Sequence, residues 1–150
     1  MGTLRLEELN AGNIVAANTL TLKPGQEQFV APVSHSIAEA YVNPTTAWPR
    51  VVVEDETVVG FIMGNFDPDA AQEEFRSCIW RINVAADAQG HGVGKFAVRA
   101  LAEEARARGF DRLTVIYERG EEGPEEFFAR VGFTTYSETQ YGEAIAALHL

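Results

Sequence analysis

Residues 89–95 read Gln-Gly-His-Gly-Val-Gly-Lys, three glycines at alternate positions directly before a helix-like run. Glycines there let the chain turn tightly and present its N–H groups, and a helix N-terminus adds the positive end of its dipole. The chemistry such a loop supports is anion binding. Lys95 and Arg99 share one helix face and can meet further negative charge. The phosphate loop of nucleotide hydrolases is excluded, because it needs wider glycine spacing and a Lys-Ser or Lys-Thr ending. The dinucleotide fingerprint G-x-G-x-x-G/A is set aside as well, because, read from Gly90, Lys95 holds the place of its third small residue.

The loop must be held by the elements around it. Residues 75–87, FRSCIWRINVAAD, predict a long strand leading into it. Residues 93–108 place Phe96, Val98, Leu101, Ala102 and Ala105 at helical spacing, and Gly109 stops that helix. Residues 112–118 read as a buried strand, and Pro124 opens a helix to about Val131, closed by Gly132. On the N-terminal side, residues 3–9 read as an edge strand. Asn10 caps a helix through Leu22, weakened by Thr19 and Thr21, and Ser34 or Ser36 caps a short helix to Val42. Residues 50–66 read as a hairpin around Glu54–Glu56, and the segment after Gly132 as a closing hairpin. The order β-α-α-β-β-β-α-β-α-β-β predicts an α/β fold with a mixed sheet.

Length and composition bound the rest. The 150 residues suit one domain over 1–150, and 46% hydrophobic content suits an ordinary core. The absence of any run of ~20 apolar residues or signal-like apolar core, with Cys78 as the one cysteine, points to a cytoplasmic protein with no membrane association. One cysteine leaves no cysteine-based zinc site, and no metal is expected. The net charge of −10 argues against nucleic acid as a partner and favours a cationic small molecule. The acidity is uneven: residues 1–88 carry 5 basic and 12 acidic side chains, residues 89–150 carry 7 and 10.

Gln89-Gly90-His91-Gly92-Val93-Gly94 fits the Q/R-x-x-G-x-G/A signature of the GCN5-related N-acetyltransferase superfamily, and PEEFFARVGF (124–133) resembles its second motif, a helix running into Gly-Phe. The element order resembles that family from first strand to last. A narrower resemblance, to the bacterial spermine/spermidine acetyltransferase branch, lies in residues 25–42, 48–63, 78–95 and in the closing GEAIAAL.

The resemblance implies acetyl-CoA as co-substrate. Backbone groups of Ile82, Asn83, Val84 and Ala85 would pair with the pantetheine arm where this strand splays from its parallel neighbour. The amides of Gln89, Gly90, His91, Gly92, Val93, Gly94 and Lys95 would seat the pyrophosphate, with Phe127 and Phe128 beside the cofactor. A neutral amine would attack the thioester without a covalent enzyme intermediate, and the Val84 N–H would stabilise the oxyanion. A homodimer is common in such proteins.

One departure bears on mechanism. Phe128 holds the position where the family usually has a tyrosine that protonates the leaving thiolate. Three routes remain open. Another residue supplies the proton, with Tyr117 first and Tyr136 and Cys78 behind it. Alternatively solvent does so. In the last, the chain binds acyl-CoA with weak catalysis. The family's asparagine in the preceding turn is replaced by Glu121, expected to face solvent. On the acceptor side, Glu39 is the first choice to hold an ammonium, with Glu27 and with Phe29 shaping the wall; Asp67, Glu73 and Glu74 are further carboxylates, and His35 is a possible base. The acceptor so implied is a small cationic amine, a polyamine first, with an amino sugar antibiotic or an amino acid as the alternative.

Overall fold

The computed structural model describes residues 2–121 and 123–150. They form one seven-stranded sheet in the order β1-β2-β3-β4-β5-β7-β6. Strands β1 (Leu4–Glu7), β2 (Ala47–Glu54), β3 (Thr57–Phe66) and β4 (Ser77–Val84) run antiparallel in sequence order. Strand β5 (Arg112–Tyr117) is parallel to β4, and β7 (Ala144–His149) and β6 (Thr134–Glu138) complete the sheet antiparallel. This is the predicted mixed α/β architecture, with the predicted element order.

Helices α1 (Ile14–Asn18) and α2 (Val33–Val42) cover one face, and α3 (Val93–Ala107) and α4 (Glu125–Arg130) the other. The alternation of β2 explains the division. Val51 and Val53 join Ala17, Phe61 and Met63 under α1 and α2, while Val52 joins Ile62, Leu101 and Leu113 under α3. Pro49 lies within β2 but beyond the reach of β1, which pairs only with Val51–Glu54. The strand is an edge there, where proline's missing donor is tolerated.

Two boundaries differ from the sequence expectation. Helix α1 is a short stub rather than a helix from Asn10 to Leu22. The Asn10 side chain accepts the N–H groups of Gly12 (2.8 Å) and Asn13 (3.0 Å), building a turn ahead of the helix. At the other end the Thr19 hydroxyl bonds back to the carbonyls of Val15 (3.0 Å) and Ala16 (3.2 Å). The strand expected over 75–87 is trimmed to Ser77–Val84 by single 3₁₀ turns at Glu73–Phe75 and Ala86–Ala88.

Candidate active site

The parallel pairing of β4 with β5 has two register pairs, Cys78 with Thr114 and Ile79 with Val115. Beyond Ile79 the strands part. The gap between them opens into a cleft of about 930 Å³. Ile82 and Val84 line it from β4, and Ile116, Tyr117 and Glu118 from the end of β5. Ala85 N–H donates to Val59 O (2.9 Å), toward β3. Backbone groups alternate along a strand, so those of Val84 and Ile82 face the gap and those of Asn83 and Ala85 face β3. Of Ile82, Asn83, Val84 and Ala85, two, Ile82 and Val84, therefore turn their backbone groups to the gap.

The glycine loop closes one end of the cleft. Gly90 (φ +82°) and Gly92 (φ +86°) are left-handed, a backbone that only glycine adopts at no steric cost. A Cβ on either would meet no protein atom within 4 Å. Gly94 is needed for a different reason: a Cβ there would lie 2.9 Å from the Phe127 ring. Among the described residues, no backbone N–H from Gln89 to Lys95 donates to a protein acceptor; the first to do so is that of Phe96, to Gly92 O (3.0 Å). These are the unpaired donors of a helix start, gathered on one loop. Lys95, Lys23 and Arg130 also line the cleft, and none forms an ion pair among the described residues. Donors and cations together suit a pyrophosphate. His91 is exposed and does not line the cleft. Among the described residues, no group of three or more His, Cys, Asp or Glu side chains could hold a metal ion. No helix of the described residues is long and apolar enough to cross a membrane.

Helix α4 sets the hydrophobic wall. Phe128 is buried, stacked on Tyr117 at 5.4 Å between ring centroids, and edge-on to Phe127 and Phe133. Tyr117 lines the cleft, but its side chain is buried and its hydroxyl lies 3.3 Å from Thr135 Oγ1, on β6. Cys78 is buried at the β4–β5 junction, and burial pushes its thiol up to about 12. Tyr136 is exposed on β6, with its ring 5.3 Å from the Arg112 guanidinium.

The expected acceptor carboxylates separate into two groups. Glu27 and Phe29 line the cleft from residues 26–32, the segment joining α1 to α2. Glu39 does not: it pairs with Arg81 (3.1 Å), and His35 lies 3.8 Å away. An ammonium approaching Glu39 would meet the Arg81 guanidinium. Asp67, Glu73 and Glu74 lie at the opposite end of β4 from the glycine loop, where Glu73 pairs with Arg112. Glu118, at the end of β5, and Glu143, at the start of β7, line the cleft although the sequence did not single them out. Their only signal is position beside the end of a parallel strand, the usual place for ligands in such sheets. Gln26 was also missed. Its amide pairs head to tail with that of Gln89, 63 residues away.

The sequence pattern of the acetyltransferase (GNAT) family matches residues 18–133, which span the cleft and its glycine loop. No protein of curated function matches the chain. Solved structures share the fold at low identity. The PaiA N-acetyltransferase of Thermoplasma acidophilum, in complex with coenzyme A, superposes with a TM-score of 0.72 at 12% identity, over 99% of each chain. The ribosomal-protein-S18-alanine N-acetyltransferase of Escherichia coli gives 0.69 at 16%, over 98% of this chain and 94% of its own. The N-acetylglutamate synthase of Neisseria gonorrhoeae, complexed with coenzyme A and N-acetyl-glutamate, gives 0.72 at 20%, over the whole of this chain and 36% of its own. Free loop amides, a parted strand pair and the matching sequence pattern lead to one conclusion: the chain belongs to the acetyltransferase (GNAT) family.

Proposed function

We propose that the chain transfers an acetyl group from acetyl-CoA to a primary amine of a small cationic acceptor, a polyamine such as spermidine or spermine first. The observation that carries the reading is the row of free amides from Gln89 to Lys95, opening on the gap between β4 and β5. Those amides, with Lys95, would seat the pyrophosphate, and the backbone of Ile82 and Val84 would hold the pantetheine arm. Bound acetyl-CoA supplies an acyl thioester activated toward amines. The Val84 N–H faces the gap and would donate to negative charge developing on the acyl oxygen.

Glu27, Glu118 and Glu143 place carboxylates along the cleft and would draw in an ammonium. An alkyl amine resembles lysine, with a pKa of about 10.4, so it must lose a proton before it attacks. Water in this acidic part of the cleft is the proposed acceptor of that proton. Phe128 has no proton to give, and the Tyr117 hydroxyl is engaged with Thr135. Solvent therefore protonates the leaving thiolate, a tolerable leaving group at a thiol pKa of about 8.5. Arg81 favours a second reading, because it also lines the cleft while its guanidinium pairs with Glu39 just outside it: an acceptor that carries a carboxylate beside its amine, as an amino acid does.

A thiol-release assay with acetyl-CoA and a panel of amines tests both. Polyamines are expected to accelerate CoA release most. Acceleration by amino acids alone would replace the first reading with the second. Acetyl-CoA binding with no amine accelerating release would leave an acyl-CoA-binding module with little turnover.

A further inference from the structure

We propose that Gln26 is a positioning residue, whose reciprocal amide pair with Gln89 makes the acceptor wall respond to the filling of the cofactor site. The inference rests on the reading of residues 89–95 as the cofactor seat.

Gln26 Nε2 donates to Gln89 Oε1 (3.0 Å), and Gln89 Nε2 donates to Gln26 Oε1 (2.7 Å). Each amide is oriented by a backbone group. Gln26 Oε1 also accepts the Lys23 N–H (3.1 Å), and Gln89 Nε2 also donates to Val84 O (2.9 Å). Turning either amide over would set N–H against N–H or oxygen against oxygen, so the pair has one arrangement. A single chain of hydrogen bonds thus runs from Lys23, through both side chains, to the last residue of β4. Gln89 is the first residue of the glycine loop, and Val84 is the strand end that faces the gap. Both amides are partly buried, which favours these bonds over exchange with water.

The wall between these anchors carries Glu27 and Phe29. Farther along, Asn83 Nδ2 donates to Ala31 O (3.1 Å), pinning the wall to β4 a second time. Phe29 reaches across the cleft to Gly120, where a Cβ would lie 3.1 Å from its ring. The Asn83 pin ties the wall to β4 itself and makes no bond to the loop. Among the described residues, only the Gln26–Gln89 pair hydrogen-bonds the wall to the glycine loop itself. A ligand seated on the loop amides would fix Gln89, and through it Gln26 and the wall. The acceptor surface would then take its working shape once the cofactor site is filled.

Amide hydrogen exchange over residues 25–31, with and without coenzyme A, tests this independently of any acceptor. In the wild-type protein CoA is expected to slow exchange of this segment about tenfold, because a ligand that fixes Gln89 raises the cost of opening the wall by about the net worth of one hydrogen bond. Gln26→Leu should still bind CoA within about threefold by calorimetry, because it removes no loop amide, while the protection falls below about twofold. Gln26→Glu keeps the acceptor oxygen but loses a donor, so intermediate protection is expected. Pairing it with Gln89→Arg restores a two-pronged bond and should restore protection. A merely structural role for Gln26 would lower thermal stability without changing the response to CoA. Full CoA-induced protection in Gln26→Leu, or no protection in a wild-type protein that binds CoA, overturns the inference and leaves the cofactor reading intact. Failure of the wild-type protein to bind CoA removes both.

Discussion

Gly92 caps α3 in left-handed backbone, at φ +86°, and a Cβ there meets no protein atom within 4 Å. A side chain at this position strains the backbone without striking the protein. The strain costs roughly 1–2 kcal/mol, which for a domain of this size lowers Tm by about 2 to 8 °C. Gly92→Gln and Gly92→Glu share that cost and nearly share volume. Only the second brings a charge. A carboxylate about 6 Å from a phosphate charge, at the effective dielectric of about 20 near a protein surface, is repelled by about 3 kcal/mol. The loop is exposed, so salt and water reduce this to on the order of 2 kcal/mol, about thirtyfold in Kd. Calorimetric titration with CoA measures the difference directly. Gly92→Glu is expected to bind about thirtyfold more weakly than Gly92→Gln at low salt, with the gap narrowing as salt is raised. Equal affinities for the two variants at low salt would refute the placement of the pyrophosphate on these amides, whatever either variant does to stability.

Tyr117→Phe removes one long hydrogen bond to Thr135 and, if solvent protonates the thiolate, leaves turnover within about twofold and the pH profile unchanged; a large loss of turnover would restore the phenol as the acid. Cys78 has its thiol pushed from an ordinary 9.0 up to about 12 by burial, so the folded chain keeps a proton that the unfolded chain loses. The stability this group carries is whole below pH 9 and is lost as pH rises toward 12; denaturant midpoints should fall across that window in the wild type and fall less in Cys78→Ala.

What the sequence disclosed is what local chemistry decides. The glycine loop, the face of α3 and the hairpin of β2 and β3 each depend on residues a few positions apart, and all stand where periodicity and glycine placed them. Helix α1 failed on a local conflict, because Asn10 and Thr19 satisfy backbone groups in ways that compete with a longer helix. The acceptor side was less legible because its side chains are decided by partners distant in sequence. Glu39 reads as a free carboxylate on a short helix until Arg81 arrives from β4. Gln26 carries no signal of its own, since Gln89 reaches it only when the sheet has formed. Tyr117 occupies a plausible place for an acid, and only the packing of β6 shows where its hydroxyl goes.

The two-rung contact between β4 and β5 also has a mechanical meaning. It divides the sheet into two panels, β1 to β4 and β5 to β7, that meet along a seam. Helix α3 lies behind that seam and packs on β3, β4 and β5 alike. Its seating depends on Gly64 of β3, where a Cβ would come within 2.6 Å of Leu101 Cδ1. Bulk added at Gly64 must first turn the tip of Leu101, and because Leu101 is fully buried, whatever the tip cannot yield falls on the seating of α3 against the first panel. A shift of α3 carries the glycine loop with it, because the loop runs directly into the first turn of that helix. The seating of the helix that carries the loop is thus set from the back of the sheet, by how closely a leucine approaches a glycine that does not line the cleft.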